Sequence, residues 1–285
     1  MSKLAKNPVR SYPVHGVGLG LRRDFFDEVL RQPDFDIDFM EIAPENWLNF
    51  GGRQGRQLRT LTERYPFVCH GLSLDLGGIK PLDIDYIKKL KVFFQRHDIR
   101  AFTEHLSYCG DSGHLYDLMP IPFTEDAVHY VAERIRTVQD VLERKIGIEN
   151  VSFYAMPSSE MTELEFINAV LDEADCDLLF DVNNTYVNSI NHKYDAENYM
   201  QSMPSERIVY LHMAGHFDEA DDLKVDTHGQ PVKQEVWQLL EKTYATHGVV
   251  PTLLERDFNI PPLDELMLEV EQIRRYQKAA KQQAA

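Results

Sequence analysis

Residues 208–216 read IVYLHMAGH. Four apolar residues, β-branched or aromatic for the most part, make a strand body, and His212 closes it. Thirty residues earlier, LLFDVNN (178–184) ends a similar body with Asp181, and KIGIEN (145–150) ends one with Glu149. Forty residues later, LLERD (253–257) ends one with Glu255. Working outward, FVCHGLS (67–73) places His70 and FTEHLSY (102–108) places His105 in the same position. Eight strands are predicted in all: Val17–Leu21, Phe39–Ala43, Phe67–Leu72, Ala101–Leu106, Lys145–Asn150, Leu178–Asn183, Ile208–Met213 and Val250–Arg256.

Helix-period segments lie between the strands. Thr124–Glu143 puts Ala127, Val131, Ile135, Val138 and Leu142 on one stripe. Thr162–Ala174 does so with Leu164, Ile167 and Leu171, and Thr162 with Glu165 makes a capping box. Asp83–His97 repeats Ile87, Leu90 and Phe94, and the last helix carries Leu263, Met267, Val270 and Ile273. Strict alternation demands parallel strands with right-handed crossovers, and eight units in 285 residues predict an α/β fold of the closed (β/α)8 TIM-barrel type. A doubly wound open sheet is the competitor, but GVGLG (16–20) lacks the helix-opening glycine of a dinucleotide fingerprint. The expected organisation is one domain over residues 1–285, with a short N-terminal segment 1–15 and a frayed tail 277–285.

Composition narrows the function. Three cysteines with no C-x-x-C spacing argue against a disulfide framework or a thiolate metal site. A net charge of −16 disfavours nucleic acid as partner. No apolar run reaches membrane-spanning length, and MSKLAKNPVR lacks the apolar stretch of a secretion signal, so the expectation is a cytoplasmic protein.

The strand-end residues carry the chemistry. In a parallel barrel these ends converge on one face, where active sites lie. One polar residue after a strand is ordinarily a cap. Six consecutive strands ending in His, Asp or Glu crowd carboxylates into one pocket, which is prohibitive without positive charge. No lysine ends a strand, and Arg256 is a single charge, so metal cations are the expected compensation. Asp226 and His228, in VDTHG (225–229), add donors after strand seven. Imidazole and carboxylate without thiolate suit iron, zinc or manganese, and so many donors imply two or three ions.

The ligand order His, His, Glu, Asp, His, D-x-H, Glu resembles the xylose isomerase and endonuclease IV superfamily of barrels. More closely, ENW, CHGLS, TEHLSY, GIENVS, FDVNNTYVNSINH, YLHMAGH, DTHG and LLERD resemble the multinuclear non-haem iron-dependent oxidative enzymes, the family of the iron enzyme of methanobactin biosynthesis. The resemblance implies that His70, His105 and a bridging Glu149 bind one iron. It implies that Asp181, His212 and Glu255 complete a second, and that Asp226 and His228 hold a third with an amide from Asn184 or Asn183. The endonuclease-like pattern has D-x-x-H where this chain has Asp181-Val-Asn-Asn184, which loosens the third site and counts against phosphodiester chemistry. The implied activity is oxidation by O2, at a mixed-valent Fe(II)/Fe(III) centre, of cysteines in a ribosomally made precursor peptide. A separate peptide-recognition partner protein is implied, and Asp226 is the candidate for moving protons. The alternative is a zinc or manganese hydrolase or isomerase on the same ligand geometry.

Other residues are open at this level. Glu45 and Asn46 read equally as mouth residues or as loop caps. His216 reads as a substrate contact, a buttress for Asp226 or a plain loop residue. His192 is read as ordering the loop that contains it.

Overall fold

The computed structural model describes residues 11–110, 113–156 and 158–283. Eight parallel strands close on themselves: β1 (Val17–Gly20), β2 (Phe39–Ile42), β3 (Phe67–Gly71), β4 (Ile99–His105), β7 (Gly147–Glu149), β8 (Asp177–Asp181), β9 (Ile208–Met213) and β12 (Thr252–Leu254). Two antiparallel hairpins interrupt the alternation, β5 (Tyr108–Gly110) with β6 (His114–Met119), and β10 (Phe217–Ala220) with β11 (Leu223–Val225). Helices follow the barrel strands in turn: α1 (Arg23–Arg31), α2 (Gly52–Arg64), α3 (Ile84–His97), α4 (Glu125–Leu142), α5 (Glu163–Ala174), α6 (Val182–His192) with α7 (Ala196–Gln201), α8 (Gln234–His247) and α9 (Leu263–Gln283). The expected closed barrel is what forms. No described helix is long and apolar enough to cross a membrane.

Side-chain alternation splits the core in two. Outward residues such as Ile148, Phe180, Leu211 and Leu254 pack against the helices. Inward residues Phe39, Val68, Ala101, Leu179, Tyr210 and Leu253 fill the barrel floor, closed below by Val14. Space for them is made by glycine. A Cβ on Gly18 would lie 2.5 Å from the Phe39 ring, and one on Gly147 would lie 2.8 Å from Thr103 Cγ2. Two residues beyond each floor residue stands a polar one: Glu41, His70, Thr103, Asp181, His212 and Glu255. The period of two that makes the strands amphipathic therefore also builds the site directly on the apolar floor.

Several boundaries differ from expectation. The fifth strand is Gly147–Glu149, shorter than Lys145–Asn150, and Asn150 leaves the ladder to bond with β8. The sixth stops at Asp181, so Val182 and Asn183 belong to α6 and not to a strand. Asp181 ends the strand by capping the helix, its Oδ1 accepting from Asn184 N at 2.7 Å. The Thr162–Glu165 capping box is present at the start of α5. The last helix continues through Gln283, into the segment expected to fray, while residues 1–10 of the N-terminal segment and 284–285 of the tail lie outside the described residues.

Candidate metal centre

Register sets the lateral neighbours. His70 lies beside Thr103, His105 beside Glu149, and Asp181 beside His212 on paired strands. The six strand-end residues expected at the mouth are thus brought together, all buried or nearly so.

His70 Nε2, His105 Nε2 and Glu149 Oε2 form a triangle with sides of 3.1, 3.1 and 3.2 Å. His105 Nδ1 lies 2.7 Å from the Gly71 carbonyl, which only accepts, so that nitrogen carries the proton and Nε2 offers a lone pair. His70 Nδ1 lies 2.8 Å from Thr103 Oγ1. Donors ~2.0–2.2 Å from one cation at octahedral or tetrahedral angles stand roughly 2.8–3.6 Å apart, a range that includes the spacing of this triangle.

The other oxygen of Glu149, Oε1, faces the next group, 3.4 Å from His212 Nδ1. Around that nitrogen also stand Glu255 Oε2 at 2.9 Å and Asp181 Oδ2 at 3.8 Å. Glu149, Asp181, His212 and Glu255 therefore offer a second set of donors within reach of one ion. Asp226 Oδ1 lies 2.8 Å from His228 Nε2, which is 3.8 Å from Asp181 Oδ2. Asn183 spends its amide elsewhere, donating to Asp226 Oδ1 and pairing with His216 Nδ1. Asn184 Oδ1 is buried and unpartnered.

That oxygen has company. Asp181 Oδ2, His212 Nδ1 and His228 Nε2 are also buried and make no well-directed hydrogen bond, although carboxylate oxygens stand 2.9 Å from His212 Nδ1 and 2.8 Å from His228 Nε2. Orphaned buried polar atoms are rare because each costs about 1–3 kcal/mol, and here they gather in one pocket. The donor set fits a cation cluster.

The electrostatics agree. Burial would lower the His105 pKa, yet the Glu149 and Glu104 carboxylates hold it up at about 10. His212 and His228 are likewise raised well above the usual range against burial, by Glu41 and Glu255 in one case and by Asp226 in the other. Burial raises Asp181, while the histidines overcome burial to lower Glu149 and Glu255. The acids outnumber the fixed cations so heavily that the imidazoles are driven to take protons, the places that metal cations would fill.

Sequence reasoning missed three groups. Arg22 reaches in from the end of β1 and bonds Glu255 and Asp257. Asp257 itself stands with His228 and Glu255 as a further donor set. Glu41, on β2, contacts His212 Nε2 at 3.1 Å. Glu41 and Arg22 were legible only through strand alternation and the register of a closed barrel.

A cavity of about 1130 Å3 opens above the donors, walled by Tyr108, Met119, Tyr154 and Asp226 among others. It exceeds the roughly 300–1,000 Å3 of small-molecule pockets. Asn46 lines it. Glu45 does not, and instead clamps the loop after β3 by accepting from Leu72 N and Ser73 Oγ. His216 buttresses Asp226 through Asn183. His192 stacks on Phe153 and bonds its carbonyl at 2.8 Å, holding the loop after β7 from outside the donor cluster.

Residues 16–278 match the family model described as RiPP precursor modification enzyme MbnB/TglH/ChrH. A UPF0276 protein of Shewanella loihica is 62% identical over 93% of this chain and 96% of its own length. Among solved structures, a D-psicose 3-epimerase from Clostridium cellulolyticum H10, crystallised with D-tagatose, superposes with a TM-score of 0.60 at 13% identity, covering 94% of this chain and 97% of its own. The 3-keto-D-glucoside 4-epimerase of E. coli gives 0.61 at 12% identity, covering 91% and 98%. At such identities these two share the barrel fold with this chain and nothing more.

Proposed function

The chain belongs to the RiPP precursor modification enzymes MbnB/TglH/ChrH, and from that premise we propose that it is a multinuclear iron oxidase using O2 to modify cysteines of a ribosomally made precursor peptide. The observation that carries the reading is the group of buried donor atoms on Asp181, Asn184, His212 and His228 that make no well-directed hydrogen bond, beside the His70–His105–Glu149 triangle.

In this reading His70, His105 and Glu149 hold one iron, and Glu149 bridges to a second held by Asp181, His212 and Glu255. Asp226, His228 and Asn184 hold a third. Asn184 is preferred to Asn183 because the Asn183 amide is already engaged on both sides. Bound iron would supply an acceptor for a soft, anionic thiolate and the electrons that O2 requires.

The chain's own groups do the rest. The cavity is large enough for several residues of an extended peptide, which on binding would displace water from the floor. Asp226 faces the donors through Oδ1, while Oδ2 accepts from Ser152 Oγ at 2.8 Å on the cavity side. A proton leaving the substrate thiol passes to that Asp226–Ser152 pair. A separate protein that grips the peptide leader completes the assembly.

The test is metal analysis of anaerobically purified protein, followed by exposure to a cysteine-containing precursor peptide and O2. The expected result is about two or three irons per chain and an O2-dependent change in peptide mass. Stoichiometric zinc or manganese with hydrolysis or sugar isomerisation, and no peptide change, would replace this reading with the hydrolase or isomerase one.

A further inference from the structure

Beneath the donor cluster runs an unbroken line of buried polar contacts. His212 Nε2 lies 3.1 Å from Glu41 Oε2, and the Tyr210 hydroxyl donates to the same oxygen at 2.6 Å. Tyr210 Oη lies 2.8 Å from Thr103 Oγ1, which lies 2.8 Å from His70 Nδ1. Every member is buried: His212, Tyr210 and Thr103 at 0%, Glu41 at 2% and His70 at 6% exposure. The line therefore joins two imidazoles of the donor cluster, with the Glu41 carboxylate standing between His212 and Tyr210.

Only one set of proton positions satisfies all four contacts while leaving both rings able to bind a cation. Tyr210 spends its proton on Glu41, so Thr103 must donate to Tyr210 Oη. Thr103 then has only lone pairs to offer His70, whose Nδ1 must carry the proton, freeing Nε2. At the other end the carboxylate demands a proton on His212 Nε2, freeing Nδ1, the atom that faces Glu255, Glu149 and Asp181. Each donor points along the line toward Glu41.

We infer that Glu41 is a positioning residue for both His212 and His70, fixing them as opposite tautomers, the first directly and the second through Tyr210 and Thr103. A carboxylate behind a ligating histidine sets ring orientation and raises its basicity. Here one carboxylate serves two rings of the cluster whose centroids lie 5.2 Å apart, so that each ring's electron supply depends on the same buried group. The inference rests on the reading of the cluster as a metal centre, but not on which metal or which substrate it takes.

The test uses the full chain loaded with Zn(II), a diamagnetic probe, and long-range 1H–15N correlation of the histidine rings. The expected spectrum shows His70 protonated at Nδ1 and His212 at Nε2. Thr103→Val removes the acceptor behind His70 at nearly constant shape. It is expected to shift the His70 signals, leave those of His212 in place, and weaken Zn(II) at the His70–His105 group by about tenfold in chelator competition. Tyr210→Phe frees Thr103 to donate instead of accept, and is expected to shift the His70 signals, to weaken Zn(II) at the His70–His105 group, and to yield a mixture of His70 tautomers in the zinc-free chain. Glu41→Gln is expected to disturb both rings. Zinc binding with His70 signals identical in wild type, Thr103→Val and Tyr210→Phe overturns the inference and leaves the metal reading standing. A wild-type chain that takes up no zinc, iron or manganese overturns both.

Discussion

Arg22 Nη2 lies 3.1 Å from Glu255 Oε1, while Glu255 Oε2 lies 2.9 Å from His212 Nδ1. One carboxylate thus has one oxygen held by a guanidinium and the other turned to the donor cluster. Arg22 is fixed in turn by the Arg256 carbonyl at 3.0 Å and by Asp257. A planar fork can hold these three acceptors in one plane, which a lysine cannot. Arg22→Gln is therefore expected to leave Glu255 free to rotate and to raise the metal dissociation constant by about tenfold to a hundredfold. Arg22→Lys should recover only part of that. Chelator competition on the three proteins measures it, and equal affinities would show that Glu255 needs no such anchor.

Glu149 divides its two oxygens between the His70–His105 pair and His212. In the proposed metal centre a residue so placed would serve two ions at once, so its removal should not cost one ion alone. Glu149→Ala is expected to purify with less than half of the wild-type metal and no activity, and His105→Ala to lose the triangle's ion together with activity. Elemental analysis against protein concentration decides this. A Glu149→Ala protein holding its full metal complement would refute the bridging role.

The barrel and the strand-end donors were legible because they obey short periods. Apolar runs of four or five residues mark the strands, and the residue that breaks each run faces the mouth. What could not be seen depends on register across the barrel. Glu41 lies within FMEI, where a carboxylate among apolar residues gives no hint that it meets His212, 171 residues away. Helix α6 was obscured for a different reason. Its sequence, VNNTYVNSINH, is made of residues lying roughly 0.4–0.7 kcal/mol below alanine in helix propensity, and its buried face is polar. Tertiary bonds compensate at about 1 kcal/mol each: Asn183 to Asp226, Asn184 to the Asn150 carbonyl, Asn188 to the Val151 carbonyl. A helix stabilised by the site it serves has no amphipathic stripe to announce it.

Asn150 is the hub of that arrangement. Its Oδ1 accepts from Asp181 N at 2.8 Å and its Nδ2 donates to Asp181 O at 3.0 Å, so the side chain replaces a missing rung between β7 and β8. Asn150→Ala strands the buried Asp181 N–H, while the Asp181 carbonyl keeps the Thr185 hydroxyl at 2.9 Å. At about 1–3 kcal/mol for the one stranded group, the expected loss is ~2 kcal/mol of unfolding free energy. Urea denaturation of chelator-treated protein measures it without the masking effect of bound metal. A loss below 1 kcal/mol would mean that Asp181 finds other partners.

Glu163, at the start of α5, supplies a pH signature away from the donor cluster. Its Oε1 accepts from the Tyr199 hydroxyl at 2.8 Å and from Asn188 at 3.3 Å, and its Oε2 is buried and unpartnered. Burial pushes its pKa from an ordinary 4.5 up to about 7, with the tyrosine and asparagine bonds only partly opposing. The folded protein thus holds this proton more tightly than the unfolded chain does. Stability from this source is complete below pH 4.5, declines as pH rises, and is lost above about 7, amounting to ~3 kcal/mol. Glu163→Gln has no proton to lose at this position, and other titrations cancel in the difference between the two proteins. The variant is therefore expected to gain on the wild type by a few kcal/mol between pH 4.5 and 8 in chelator-treated denaturation, whatever its absolute stability. A difference that stays constant across that range would mean that Glu163 is already ionised in the folded protein, held by Tyr199 and Asn188 alone.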